Sequence, residues 1–373
     1  MSRHVRGHGI EQLLERLAAT EHEIPFLAEQ PEARVHFRRV GHWLVEERFL
    51  LALLVARARG QPHPAPPRLA KMGVLRMLAA LVLSRRHVAR CRAQAIYFKT
   101  HVRAFFLTPR PLSLKLVVPA EREGISRELA ARGRVEGRVL APRLLAHRLD
   151  GPHPHLCEEL VFGRRPNRKR DEQLVLRFVL GELWESYRAA GFEWRPCTEF
   201  HQLDALLKSF EATLDDWTRW PSAWPGKRDL RESLTRLADE TEKLVPCCLG
   251  HGDLSDGNML VADGRILLFD WERAGRLPIL LDLAKIAVQY PASWKPILAR
   301  TEQEFVHAPN PGMVSARTQA ALAALDRIAK LHALSSPGPE LSAWQVRRTK
   351  SRYRGRMTAE LKHLARVLYE ERS

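Results

Sequence analysis

Apolar positions in the chain repeat with two periods, and the switches between them divide it. Trp43 to Arg57 carries Trp43, Leu44, Leu50, Leu51, Leu54 and Val55 at helical spacing and predicts a helix. Gly60-Gln61-Pro62-His63-Pro64-Ala65-Pro66-Pro67 then predicts a stiff linker, because proline fixes φ and supplies no amide proton. Lys71 to Arg86 is apolar at Met72, Val74, Leu75, Met77, Leu78, Leu81, Val82 and Leu83 and predicts a second helix. Residues 1–90 are therefore expected to be a helical N-terminal extension. From Ala95 the period falls to two. Ala95 to Thr100, Val102 to Thr108 and Leu112 to Val118 predict three strands of a small antiparallel sheet. Ala120 to Arg134 predicts a helix, and Leu144 to His147 with Leu156 to Leu160 predict two more strands. Beyond Gly163 helical spacing returns, over Asp171 to Ala190, His201 to Asp216, Ser315 to Leu334 and Leu341 to Glu371, with Ser315 placed as an N-cap. The pattern as a whole predicts an α+β protein.

One stretch carries chemistry. His251-Gly252-Asp253-Leu254-Ser255-Asp256-Gly257-Asn258 sets an Asp and an Asn five positions apart in a loop. The apolar hairpin Met259 to Leu268 follows, and then Phe269-Asp270-Trp271-Glu272. A kinase-like phosphotransferase needs these parts in this order: an Asp to take the acceptor proton, then an Asn and a later Asp to hold Mg²⁺ on the ATP phosphates. Oxygen-only donors suit Mg²⁺ and not zinc. A second signal is Lys115, which interrupts the apolar run Leu114-Lys115-Leu116-Val117-Val118. A lysine there is costly to bury unless paired.

The His251 to Ala287 segment resembles the aminoglycoside/choline phosphotransferase family of the protein-kinase-like fold, whose signature reads H-G-D-x-x-x-x-N and then D-W-E. Trp271 after Asp270 favours that branch over protein kinases, which carry Phe-Gly there. A looser resemblance reaches back to about Ala95. It implies a two-lobed fold, with a small antiparallel-sheet N-lobe over 91–163 and a larger helical C-lobe over 164–373. It implies ATP and Mg²⁺, with Asp253 as catalytic base and Asn258 and Asp270 as metal ligands. Lys115 paired with Glu128 is expected to grip the phosphates. Cys157 to Gly163 resembles the hinge, where backbone groups near Glu159 and Val161 meet the adenine. Asp282, within Leu280-Leu281-Asp282-Leu283-Ala284, and His251 are expected to brace the catalytic loop. Asp256 is either an acceptor or metal contact or a turn residue, and Glu272 supports the metal shell. The loop Lys99-Thr100-His101-Val102-Arg103 departs from kinase-like lobes in lacking glycine.

Charge narrows the partners. The 373 residues hold 60 Lys and Arg against 43 Asp and Glu, a formal +17. That balance speaks against a polycationic aminoglycoside or choline and for an anionic partner. The expected acceptor is a hydroxyl of a small molecule or a glycan, including an anionic or lipid-linked one. Two readings of the basic-flanked Lys71 to Arg86 segment stand side by side: packing on the N-terminal lobe, as apolar helices in soluble chains usually do, and peripheral contact with an acidic membrane. Nucleic acid is not an expected partner. Five cysteines without C-x-x-C spacing, no secretory leader and no apolar run of about 20 residues predict a cytoplasmic location, peripheral at the inner membrane face. Pro152-His153-Pro154-His155 reads as a turn, and Trp217, Trp220 and Trp224 as packed loop aromatics. The reading from another class is a kinase-like binding or regulatory module without turnover.

Overall fold

The computed structural model describes residues 9–30, 33–59, 61, 65–66, 69, 72–98, 102–107, 111–201, 203–216, 243–306, 313–335 and 343–369. The glycine-free loop at 99–101, most of the proline-rich linker, and Trp217, Trp220 and Trp224 lie outside these residues, as do the side chains of Arg347 to Arg352. The chain divides into two compact units. The first draws on residues 1–129, 140–165 and 260–269, and the second on 130–139, 166–259 and 270–373.

Among the described residues, the first unit is built on an eight-stranded antiparallel sheet in the order β3-β1-β2-β4-β5-β6-β8-β7. Its strands are β1 (Ala33–Val40), β2 (Trp43–Glu46), β3 (Arg86–Cys91), β4 (Ala95–Tyr97), β5 (Val102–Phe106), β6 (Leu112–Leu116), β7 (Leu144–Arg148) and β8 (His155–Glu159). Period-two alternation sends neighbouring side chains to opposite faces. Leu44, Ile96, Ala104, Phe106 and Leu114 enter one core with Leu14, Leu17, Ile24 and Leu27. Those four come from α1 (Ile10–His22) and the short α2 (Pro25–Ala28) and their junction. Trp43, Val45, Ala95 and Phe105 enter a second core on the other face. It is completed by Leu50 and Leu53 of α3 (Glu47–Ala58) and by Met77 and Ala80 of α4 (Val74–Leu83). Glu21 of α1 is fully buried and meets the buried Arg92 through its backbone N–H at 2.9 Å and its guanidinium at 3.4 Å. A 3₁₀ turn at Pro119–Glu121 leads into α5 (Arg122–Val135).

The second unit is mainly helical. The helix beginning at α6 (Glu172–Phe178) passes through a π turn at Val179–Leu183 into α7 (Trp184–Ala190). After β9 (Glu193–Pro196) come α8 (Leu203–Asp216) and β10 (Leu244–Gly250), and after the catalytic motifs β13 (Gly275–Pro278) and α9 (Ile279–Gln289). Strand β10 runs between β13 and β9. α10 (Trp294–Phe305), α11 (Ala316–Ser335) and α12 (Ala343–Tyr369) finish the unit. α11 packs against α8, α9 and α12, and its residues Gln319 to Leu325 are all buried. Ser315 caps it, its hydroxyl accepting from the Thr318 N–H at 3.1 Å. Strands β11 (Met259–Ala262) and β12 (Arg265–Leu268), which fall almost wholly in the first unit, form the expected apolar hairpin. Its Asp263-Gly264 turn has both residues at positive φ, 49° and 75°, matching the right-handed twist of the strands.

The structure corrects several expectations. Trp43 to Glu46 is a strand; the helix starts only at Glu47. The turn at Gly41-His42, with Gly41 at φ 63°, pairs Val40 with Trp43, and a sheet covered on both faces accepts a run of apolar residues without visible alternation. Residues 1–90 are thus helical only in part, since β1, β2 and β3 belong to the main sheet. The Lys71 to Arg86 helix shortens to Val74–Leu83, and Arg86 opens β3. All five cysteines are buried thiols, and burial pushes those of Cys157 and Cys247 up to about 12. The Pro-His-Pro-His segment is a turn with Gly151 at φ 96°.

Candidate active site

The second unit positions the catalytic loop from two sides. Buried β10 delivers the chain to Gly250, and one face of α9 then receives residues 251 to 256. Asp282, Lys285 and Gln289 share that face, being three and four positions apart along the helix. The Asp282 carboxylate accepts from the His251 N–H and the Gly252 N–H, each at 2.8 Å, and from the Tyr187 hydroxyl at 2.7 Å. Lys285 Nζ donates to Asp253 Oδ1. Gln289 Oε1 accepts from the Asp256 N–H at 2.9 Å. Gly252 has φ 76°, and a Cβ there would fall 2.0 Å from the Arg273 carbonyl oxygen, so only glycine fits.

Asp253 is held at four atoms, Oδ1 by Lys285 and three others. Its N–H donates to His251 Nδ1 at 3.2 Å, which fixes that ring nitrogen as an acceptor. His251 is fully buried and lies 4.6 Å from the Trp271 ring, centroid to centroid. Asn258 Nδ2 donates to the Asp253 carbonyl at 2.9 Å and to its Oδ2 at 3.3 Å. With the amide nitrogen so engaged, the amide oxygen is the Asn258 atom that could serve a metal, since Mg²⁺ takes oxygen donors. Asp270 adopts φ 72°, a left-handed conformation that costs a non-glycine residue energy and recurs at functional sites. The donor set of an amide oxygen and a carboxylate fits Mg²⁺.

Burial pushes Lys285 down from its ordinary 10.5 to about 8, helped by the positive charges of Arg327 and Lys330 and opposed by Glu360. The contact with Asp253 also opposes the shift by favouring the ammonium form. Asp256 is held by an arginine: its Oδ2 accepts from Arg168 Nε at 3.0 Å and lies 2.9 Å from Nη2. Arg168 comes from the basic run Arg164 to Arg170, so one of its charges is used structurally.

In the first unit, Lys115 lies one residue from the end of β6, opposite Arg103 on β5 and Leu156 on β8, and is 1 % exposed. Glu128 on α5 is 3 % exposed, whereas Glu121 caps its own turn through the Val118 N–H at 3.4 Å and Glu123 is at the exposed surface. Glu159 ends β8, and its N–H donates to the Arg143 carbonyl at 2.9 Å. Val161 follows in a half-buried loop. Gly163 lies against β11, where a Cβ would come within 2.9 Å of the Val261 carbonyl oxygen. The second unit thus brings Asp253 and Asn258 into contact, while Lys115 and Glu128 are buried in the first.

Sequence reasoning missed Lys285, Gln289 and Arg168. The signal for the first two was present: Asp282, Lys285 and Gln289 follow helical spacing from a residue already expected to brace the loop. Arg168 carried none, because its partner is 88 positions away.

No curated protein matches the chain. Among solved structures it is similar to the aminoglycoside phosphotransferase of Alicyclobacillus acidocaldarius, at 13% identity over 84% of this chain and 98% of that one, with a TM-score of 0.45. It is similar to an amicoumacin kinase at 14% identity, over 72% of this chain and 88% of that one, with a TM-score of 0.42. A thermostable aminoglycoside phosphotransferase in complex with ADP and hygromycin B is similar at 15% identity, over 71% and 91%, with a TM-score of 0.41. The profile of the phosphotransferase enzyme family matches residues 93–317, a span that contains Lys115, Glu128, Asp253, Asn258, Asp270 and Lys285. That match covers more than half of the chain, which has a sheet-bearing and a helical unit, and the chain belongs to the phosphotransferase enzyme family.

Proposed function

We propose that the chain transfers the γ-phosphoryl group of ATP, with Mg²⁺, to a hydroxyl of a small molecule or glycan, with an anionic or lipid-linked glycan as the favoured class. The observation that carries this reading is Asp253, fixed through its backbone by His251 and through its carboxylate by Asn258 and Lys285. Phosphoryl transfer depends on positioning and charge neutralisation more than on covalent chemistry. Asp253 orients the acceptor hydroxyl and takes its proton as the acceptor oxygen bonds to phosphorus. The bond from the γ-phosphorus to the bridging oxygen breaks, and ADP leaves with the electron pair. Asn258 and Asp270 hold the metal, which supplies charge neutralisation at the phosphates when bound. Lys115, paired with Glu128, neutralises the α- and β-phosphates, and backbone groups at Glu159 and Val161 take the adenine. The anionic acceptor class rests on the +17 charge. An acidic membrane surface is the second partner in this reading.

The test is a screen of the purified protein with labelled ATP and Mg²⁺ against anionic glycans, neutral sugars and amino alcohols. Transfer to a glycan or sugar that is lost in Asp253→Ala supports the reading. Label retained on ATP with every acceptor, or equal transfer by Asp253→Ala, overturns it.

A further inference from the structure

Helix α4 reads Val74-Leu75-Arg76-Met77-Leu78-Ala79-Ala80-Leu81-Val82-Leu83 and is apolar at every position but Arg76. Such a helix is ordinarily buried on every side. Here only Met77 and Ala80 are buried, against the sheet and α3. Leu75 is 83 % exposed, Val82 76 %, Leu83 81 % and Leu78 40 %. Positions 75, 78 and 82 fall on one side of a helix, and 83 adjoins them. On α3, which packs beside α4, Leu51 and Val55 are also exposed. Scattered surface leucines need no explanation, but a continuous exposed aliphatic face marks an interaction site.

The surrounding charge says what meets it. From Arg48 to Ala120 the sequence holds fourteen Lys and Arg and no Asp or Glu. Arg76 lies within α4, and Arg85 and Arg86 follow it, all three exposed. Arg86 is paired with Glu47 at 3.1 Å, and Arg85 lies 3.8 Å from Glu11 yet keeps its side chain 81 % exposed. Arg90 and Val88 of the edge strand β3 are exposed as well. A protein partner for such a face would bury the arginines against its own acids. A lipid surface instead takes aliphatic side chains at the acyl boundary and arginines at the headgroups.

We propose that the outer face of α4, with Leu75, Leu78, Val82 and Leu83 inserted and Arg76 and Arg85 at the headgroup level, docks the protein on an anionic phospholipid surface. The acceptor membrane of the proposed reaction deepens in this way from a charge argument to a named face, but the docking itself does not require turnover.

The test uses the full chain, sedimented with vesicles of phosphatidylcholine alone and of phosphatidylcholine with phosphatidylglycerol, at low and high salt. The expected result is binding to the anionic vesicles at low salt, weakening at high salt, and none to the neutral ones. Leu75→Gln/Val82→Gln/Leu83→Gln is expected to lose about tenfold or more in partitioning with an unchanged melting temperature. Arg76→Gln/Arg85→Gln is expected to lose roughly thirtyfold, from about 1 kcal/mol for each basic residue near the surface. If the triple variant does not fold, Leu75→Gln alone carries the test, because that side chain is almost wholly exposed. A chain that stays in the supernatant with anionic vesicles at low salt overturns the proposal. So does a folded triple variant that binds like the original, which would leave only diffuse charge. A dimer in sedimentation that the triple variant abolishes, without vesicle binding, would give the face to a second copy instead.

Discussion

At the scale of single residues, Lys285 decides how Asp253 behaves before substrate arrives. A positive neighbour favours the carboxylate, so Lys285→Met is expected to raise the Asp253 pKa and move the acidic limb of the kcat/KM profile to higher pH. Lys285→Arg should restore the limb; superimposable profiles for all three proteins would remove Lys285 from this role. Lys285 also leaves a signature in stability. In the unfolded chain it titrates near 10.5 and in the folded chain near 8. Between those values the unfolded chain holds a proton that the folded chain has lost, so stability rises with pH across the window. Urea unfolding at the two ends of the window should show that rise, and Lys285→Met should flatten it. Asp253→Ala is expected to cost about 10² to 10⁴ in transfer rate while Mg·ATP binding persists, as single-turnover kinetics and nucleotide titration would report. Asp253, Asn258 and Asp270 were legible because their spacing is local. Lys285 was not, because a lysine on an amphipathic helix reads by default as a solvated one.

At the scale of elements, α9 works as a rail for the catalytic loop. Asp282 accepts from two backbone N–H groups and the buried Tyr187 hydroxyl, so Asp282→Ala strands three donors. Each stranded donor costs about 1–3 kcal/mol, and a fall of several degrees in melting temperature is the expected result. A variant that melts with the original would show that the loop finds other acceptors. Gln289→Ala releases only the Asp256 N–H and should cost less. The two-period reading found β4 to β8, the hairpin of β11 and β12 and the long C-terminal helices, but not β9, β10 or β13. It failed at Trp43 to Glu46, where Trp43 and Val45 face one core and Leu44 the other. Both sides of that strand are covered, so alternation is absent from the sequence and the run joins the helix behind it. The Gly41-His42 turn was the available sign, since glycine at positive φ between apolar runs marks a hairpin.

At the scale of the whole molecule, nucleotide binding should appear as stability. A ligand at a hundredfold excess over its Kd contributes about 2.7 kcal/mol, so ATP should raise the melting temperature, and only when Mg²⁺ is present. Asp270→Asn keeps the size of the side chain and removes its charge, and should shift the Mg²⁺ requirement upward by a large factor. An unchanged requirement would take Asp270 out of the metal site. The overall charge and the apolar, basic-flanked Lys71 to Arg86 segment were read from the sequence, but not whether that helix is open or packed, because periodicity cannot tell a buried apolar helix from an open one. The sheet order has a practical bearing on how the protein is dissected. The family match starts at residue 93, two residues before β4, yet β4 is hydrogen-bonded to β2 on its far side. A fragment cut to the matched span would leave the backbone of Ala95 to Tyr97 open along one edge. It would also strip Leu14, Leu17, Leu50 and Met77 from the two cores that the sheet separates. Such an open edge recruits strands from other chains. The first ninety residues therefore act as an intramolecular guard against aggregation, and a shortened form should be sought in inclusion bodies before it is judged inactive.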